Sequence, residues 1–191
     1  DYNRRKVKRL FLSLQEKNMK VNKLEKGEQV KKYHVALLVN SGTKTAAKWV
    51  QIEKSTDNTI TMNAETEDRD FITDTNPTTI LKKYKPSMSE PITLYKANPD
   101  YEFFWNKFYK MSAGAAAESE ILVVFMNEEP ANGKYAAWKC DCVCVCDNFN
   151  PVDSILTFSI NFNGTVKTGT VAVNEDGEPV FTEDTSASET V

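Results

Sequence analysis

The stretch from Tyr84 to Met126 constrains this chain most, because it reads as strand, helix, strand with an aromatic-rich helix at its centre. In N-P-D-Y-E-F-F-W-N-K-F-Y-K-M, Asn98 to Met111, Asn98 stands as N-cap and Pro99 at the first helical position. Asp100 follows beside the positive end of the helix dipole. Tyr101, Phe104, Trp105 and Phe108 recur at three- and four-residue steps, which places them on one face, while Glu102, Asn106, Lys107 and Lys110 fall elsewhere. So many rings on one short helix need a large apolar partner, and only the strand-like runs on either side supply one. The expectation is a helix lying across a sheet, with those four aromatics as its core face.

The rest of the chain supplies strands. Tyr33–Asn40, Lys48–Lys54 and Thr59–Ala64 read as strands, separated by turns at Asn40-Ser41-Gly42 and at Ser55-Thr56-Asp57-Asn58. Glu65–Thr79 breaks the pattern: it is acidic, Thr-rich and stopped by Pro77, and reads as a long loop or extended excursion anchored by Phe71 and Ile72. Ile80–Lys85 and Pro91–Lys96 read as strands separated by Pro86–Glu90, with Ile121–Met126 and Lys134–Asp147 further on. Ile155–Asn163 alternates cleanly, and Asn163-Gly164 predicts a tight hairpin into Thr165–Val173. A short strand, Val180–Thr182, precedes an acidic Ser/Thr-rich tail expected to be disordered. The fold class is mainly β: a β-sandwich or partial barrel of about eight strands with one flanking α-helix.

A length of 191 residues with 40% apolar and 27% charged residues fits one domain, expected over 33–182, with an N-terminal arm at 19–32 and the tail at 183–191. Arg4–Leu14 places cations before apolar residues, but the apolar run is short and broken by Ser13, so a secretion signal is not expected. A basic nucleic-acid-binding arm is the other functional reading of Arg4–Arg9, and no aromatic platform is interleaved there. Codons for Gln15–Asn18 can spell a purine-rich ribosome-binding sequence ahead of Met19, so residues 1–18 are expected to be translated upstream sequence. They hold six Lys/Arg and two Asp/Glu, and without them the formal charge goes from −3 to −7. An acidic body disfavours tight binding to phosphates but suits a surface past which nucleic acid slides. Apolar runs such as Ile121–Met126 fall far short of the roughly 20 residues that span a bilayer, so no membrane partner is expected.

Cys140, Cys142, Cys144 and Cys146 stand in C-D-C-V-C-V-C, a strict period of two that places all four on one strand face. Same-face neighbours on a strand lie about 6.6 Å apart, too far for a disulfide, whose Cβ atoms sit about 4 Å apart. Tetrahedral zinc wants ligands converging from a turn or two segments, and no second cluster exists. The cysteines are therefore expected to be reduced core residues, with a thiol or metal role as the lesser alternative. His34 is the only histidine, expected as a strand-edge residue, so a Ser-His-Asp or Cys-His site would have to include it. Glu65, Glu67, Asp68, Asp70 and Asp74 lack the spacing and glycine of a calcium loop, and no glycine cluster cradles phosphate. No catalytic residue, cofactor or metal site is expected.

The order and spacing of several segments carry a likeness. They are T-D-T-N-P-T-T at Thr73–Thr79, Y-K-P-S at Tyr84–Ser87, Y-K-A-N-P-D at Tyr95–Asp100 and E-I-L-V-V-F at Glu120–Phe125. Y-A-A-W-K at Tyr135–Lys139 and F-S-I-N-F-N-G-T-V-K-T-G-T-V at Phe158–Val171 complete the set. Together they resemble the major tail tube proteins of long-tailed bacteriophages, especially those of phages and prophages of Gram-positive bacteria. The likeness runs from Tyr33 to Thr182 and departs at Cys140–Cys146, where that family has alternating Val, Ile, Ala and polar residues. The resemblance implies a structural, non-enzymatic subunit with a tail tube-like β fold. Six copies would form a ring, and stacked rings a tube through which DNA passes on ejection. It implies a place in the virion tail, assembly in the bacterial host cytoplasm, and tape-measure, tail-terminator and tail-tip proteins as further partners. Glu65, Glu67, Asp68, Arg69, Asp70 and Phe71 are the candidate contacts between subunits or rings, on resemblance and exposure together. The alternative is a monomeric β-sandwich binding or adhesion module of a virion or cell surface.

Overall fold

The computed structural model describes residues 27, 29–72, 75–127, 133–174 and 177–184. The readings made for residues 1–18, for residues 19–26 and 28 of the arm, for Asp74 and for the tail beyond 184 lie outside the described residues. Ten strands and one α-helix are described: β1 (Val35–Asn40), β2 (Trp49–Gln51), β3 (Ile60–Thr61), β4 (Ala64–Arg69), β5 (Thr78–Tyr84), β6 (Ser87–Thr93), α1 (Pro99–Tyr109), β7 (Glu118–Phe125), β8 (Tyr135–Asn150), β9 (Ile155–Val173) and β10 (Pro179–Glu183). The class is mainly β with one helix, as the sequence indicates.

Eight strands form one antiparallel sheet in the order β2-β1-β7-β8-β9-β6-β3, with β10 pairing the second half of β9. The two ends of this sheet meet. The chain leaving β2 hydrogen-bonds β6, with Thr93 N–H donating to the Lys54 carbonyl at 2.9 Å and Thr56 N–H to the Pro91 carbonyl at 3.3 Å. A bridge between Ser55 and Ile92 lies between them, so the strands enclose a barrel. Its core takes Leu37 and Val39 from β1, Met88 and Ile92 from β6, Ile121 and Val123 from β7, and Leu156, Phe158 and Ile160 from β9. Ala36, Leu38, Leu122 and Val124 point the other way into a second cluster with Val171, which Phe181 of β10 partly covers. That double burial explains why V-A-L-L-V and I-L-V-V-F are continuous apolar runs rather than alternating ones.

Four expectations about strands and loops change. Asn163-Gly164 makes no hairpin: β9 runs unbroken through it for 19 residues. The pairing steps from Lys139↔Lys167 to Asp141↔Asn163, so the left-handed Gly164, at φ 81°, serves a bulge that lets the strand bend. Pro86–Glu90 is not a separator, because S-M-S-E-P-I-T itself forms β6. Glu65–Thr79 is not a loop throughout, since its two ends pair as the β4–β5 hairpin. Glu183, assigned to the tail by sequence, pairs with Gly169 in β10. A side chain at Gly169 would collide with the Phe181 ring and the Thr182 carbonyl, so only glycine admits β10 there.

Helix α1 starts at Pro99 as expected, but Asn98 makes no side-chain cap. Asp100 is the group that fixes the helix: it is buried, and Oδ2 accepts the backbone N–H groups of Glu53 and Lys54, both at 3.1 Å. The helix is thus tied to the segment that closes the barrel. At its other end Lys107 Nζ donates to the carbonyls of Ala116 and Glu118 at 2.9 and 3.2 Å.

Candidate functional site

The residues singled out for subunit contacts fall together on the β4–β5 hairpin. Glu65, Glu67, Asp68 and Arg69 lie on β4, and Asp70 and Phe71 follow it toward the tip. The hairpin is a separate two-stranded sheet whose strands pair only with each other among the described residues. All seven residues of β5 are exposed. The acidic residues are partnered rather than merely solvated. Glu67 meets Lys82 at 2.6 Å and Arg69 at 3.4 Å, Glu65 meets Lys85 at 2.8 Å and Lys83 at 3.6 Å, and Asp68 accepts the Thr79 hydroxyl at 2.7 Å. The hydrogen bond from Lys85, then the charge of Lys83, holds the Glu65 carboxyl below its ordinary value.

Exposed ion pairs of this kind add little stability, since each is screened and costs side-chain freedom. Apolar side chains are also displayed: Phe71, Ile72, Ile80, Leu81 and Tyr84 are all exposed, Ile72 fully. A two-stranded hairpin that pairs with no further strand among the described residues is marginal alone, and each strand leaves one edge of N–H and C=O groups unpaired within its own sheet. Chemically the hairpin displays paired charges and exposed apolar side chains on one two-stranded arm.

The other residues singled out by sequence belong to the barrel. Of the helix aromatics only Phe104 is fully buried, its ring centroid 4.9 Å from that of Phe158. Tyr101 and Trp105 are half-buried and stack on each other at 5.7 Å, and Trp105 and Phe108 pack on Phe149 at 5.7 and 5.1 Å. The sequence reading missed Phe103, which also packs on the core, because it sits one step off the chosen stripe. Cys140, Cys142 and Cys144 are buried in the main core and Cys146 is half-buried, all as free thiols. Cys140 Sγ donates to the Asn163 carbonyl at 3.4 Å, beside the β9 bulge. Burial raises the Cys140 and Cys146 thiols, and the neighbouring Cys144 together with burial raises that of Cys142, so these three are held as thiols rather than thiolates. His34 is not at a strand edge: it is fully buried in the turn before β1, its Nδ1 accepting the Lys31 N–H at 3.0 Å.

Two buried acids went unnoticed in the sequence. Glu120 accepts Asn40 Nδ2 at 2.7 Å and pairs with Lys139 Nζ at 3.0 Å, a satisfied network. Glu90 is fully buried at an inward position of β6 between Met88 and Ile92, and neither carboxylate oxygen meets a donor among the described residues. The signal in the sequence was its place in M-S-E-P-I, where an alternating strand turns it toward the core; the turn-like composition of that stretch concealed it.

No protein-family model matches this sequence, and comparison with curated proteins finds no significant match. Among solved structures the chain is similar to a component of the anti-feeding prophage baseplate, with 8% identity over 74% of this chain and 96% of that one, at a TM-score of 0.43. It is also similar to a chain of the sheath/tube terminator of the extracellular contractile injection system PVC, with 8% identity over 75% and 99% and a TM-score of 0.45. A chain of the anti-feeding prophage tube-terminating cap gives 8% identity over 77% and 96%, with a TM-score of 0.45.

Proposed function

We propose that this chain is a structural, non-catalytic subunit of a bacteriophage tail tube, of the kind found in phages and prophages of Gram-positive bacteria. Copies assemble through the β4–β5 hairpin into hexameric rings, and the rings stack around a channel for DNA. The observation that carries the reading is the hairpin itself: a charged, apolar-bearing two-stranded arm with open edges, attached to a barrel that has a complete core of its own. Such an arm gains stability by laying its strands against a second copy, and a repeated heterologous contact of that type closes rings or extends them. The ordered segments that resemble tail tube proteins, from Tyr33 to Thr182, support the same reading. Within it, 33–182 is the tube domain and residues 19–32 and the acidic tail add contacts between rings. Tape-measure, terminator and tail-tip proteins contact its ends, DNA is a passenger, and the virion tail is its location after assembly in the host cytoplasm.

Sedimentation velocity and negative-stain imaging of the full chain over a rising concentration series test this. Hexameric rings or tubes are expected. A monomer that persists at high concentration sinks the proposal and favours a monomeric binding module.

A further inference from the structure

Glu90 faces a cavity of about 230 Å³ at the seam where the barrel closes. Tyr33, Val35, Leu37 and Ile52 supply apolar walls, and Gln51 and Ser55 supply polar ones. At about 30 Å³ per water, that space exceeds what one or two waters need. Its polar inventory is one-sided. Both oxygens of Glu90 and Oε1 of Gln51 are buried acceptors that meet no donor among the described residues. The Ser55 hydroxyl stands near Glu90, but its single proton goes to the Asp57 carbonyl at 2.7 Å. Leaving buried acceptors unmatched is costly, and a buried carboxylate more so, unless a donor of opposite charge enters.

Water can donate to these acceptors, but it brings no charge opposite to that of a buried carboxylate. An anion meets Glu90 with like charge. A hard divalent cation needs about six or more oxygens, and among the described residues no group of three His, Cys, Asp or Glu side chains is placed to hold a metal ion. An ammonium group on a short methylene stem satisfies both halves of the cavity. Its N–H groups reach the acceptors, and its stem lies along Val35, Leu37 and Ile52.

We infer that this cavity is a binding site for one alkylammonium group, with Glu90 as its counter-ion and Gln51 as a second acceptor. The group is either a lysine side chain of a second copy of this chain or a free amine. Groups that set the charge around Glu90 are Asp57 and Glu53 on the closing segment and the Tyr33 phenol before β1. Burial lifts the Glu90 carboxyl to about 7; the nearby Ser55 hydroxyl opposes it, and the charge of Asp57 adds the least. A bound cation reverses that shift.

The test is a pH titration of the Glu90 carboxyl by 13C NMR on the full chain, dilute enough to be monomeric, with the signal assigned by its loss in Glu90→Gln. Adding n-butylammonium is expected to bring the midpoint from about 7 to about 6 or lower, a tenfold change in the ionised-to-neutral ratio. The methyl signals of Leu37 and Ile52 move in parallel, and Glu90→Gln abolishes their response. Tetramethylammonium, which has no N–H, is expected to do neither at the same ionic strength. A midpoint that falls with protein concentration alone, together with a rising sedimentation coefficient, assigns the ammonium to a second copy. A fall only on adding n-butylammonium assigns it to a free amine. If neither lowers the midpoint, or both cations act alike, the cavity holds a hydrated neutral acid only and the inference is wrong.

Discussion

Strands β5 and β6 follow one another in the chain, have seven residues each and share no environment. T-T-I-L-K-K-Y has the β-branched and aromatic residues that favour strands, yet every residue is exposed. S-M-S-E-P-I-T has a proline, a glutamate and two serines, yet its buried residues alternate with partly or fully exposed ones and it forms part of the barrel wall. Local preference makes β5 a strand wherever it lies. Position between β9 and the closing seam makes β6 one, because Met88, Glu90 and Ile92 occupy inward sites and β9 supplies the ladder. Strand β5 is thus locally encoded and packed on no core, and β6 is the reverse.

The hardest way to break that contrast is from the barrel side. Phe104→Ala removes a fully buried ring packed on Phe158, and urea denaturation is expected to show a loss of about 3–5 kcal/mol. A loss under about 1 kcal/mol would mean the helix does not share the barrel core. Next comes Glu90. Its folded-state value lies above the ordinary 4.5, so the folded protein holds this proton more tightly than the unfolded chain. Its contribution to stability is full below pH 4.5 and falls as pH rises through about 7, by about 3 kcal/mol in all. Glu90→Gln removes that slope, so the variant is expected to gain on the wild type from pH 4.5 to pH 8, read by denaturation at both ends. Replacing Cys140, Cys142 or Cys144 by Val changes shape but keeps an apolar core, and each is expected to cost less than about 1.5 kcal/mol. Loss of folding together with a bound metal would instead show a ligand set. Smallest for folding is the hairpin: Leu81→Ser with Tyr84→Ser is expected to shift monomer stability by no more than about 0.5 kcal/mol while abolishing ring formation by sedimentation.

Legibility in the sequence follows the same division. The helix boundaries, the β class and the four cysteines on one face were readable because each rests on spacing within a few residues. The Asn163-Gly164 hairpin was misread because a left-handed glycine serves a bulge as well as a turn, and only the pairing of Lys139 with Lys167 and Asp141 with Asn163 distinguishes them. Ser87–Glu90 reads as a separator in sequence because its strand character comes from its pairing with β9, far along the chain. In the proposed assembly surface, the acidic residues were visible but their lysine partners were not, since register sets Glu65 opposite Lys83. Glu90 escaped because composition cannot show which way a strand faces.

The seam of the barrel has a consequence for motion. Two backbone hydrogen bonds and one bridge join Lys54–Thr56 to Pro91–Thr93, whereas β8 and β9 share a ladder along most of their length. Local opening starts where the fewest bonds must break, so this line separates before the long ladders do. Amide exchange at Thr56 and Thr93 therefore runs ahead of exchange in β7, β8 and β9. The barrel breathes along one line, and the Glu90 carboxyl lies beside it while the rest of the wall stays shut.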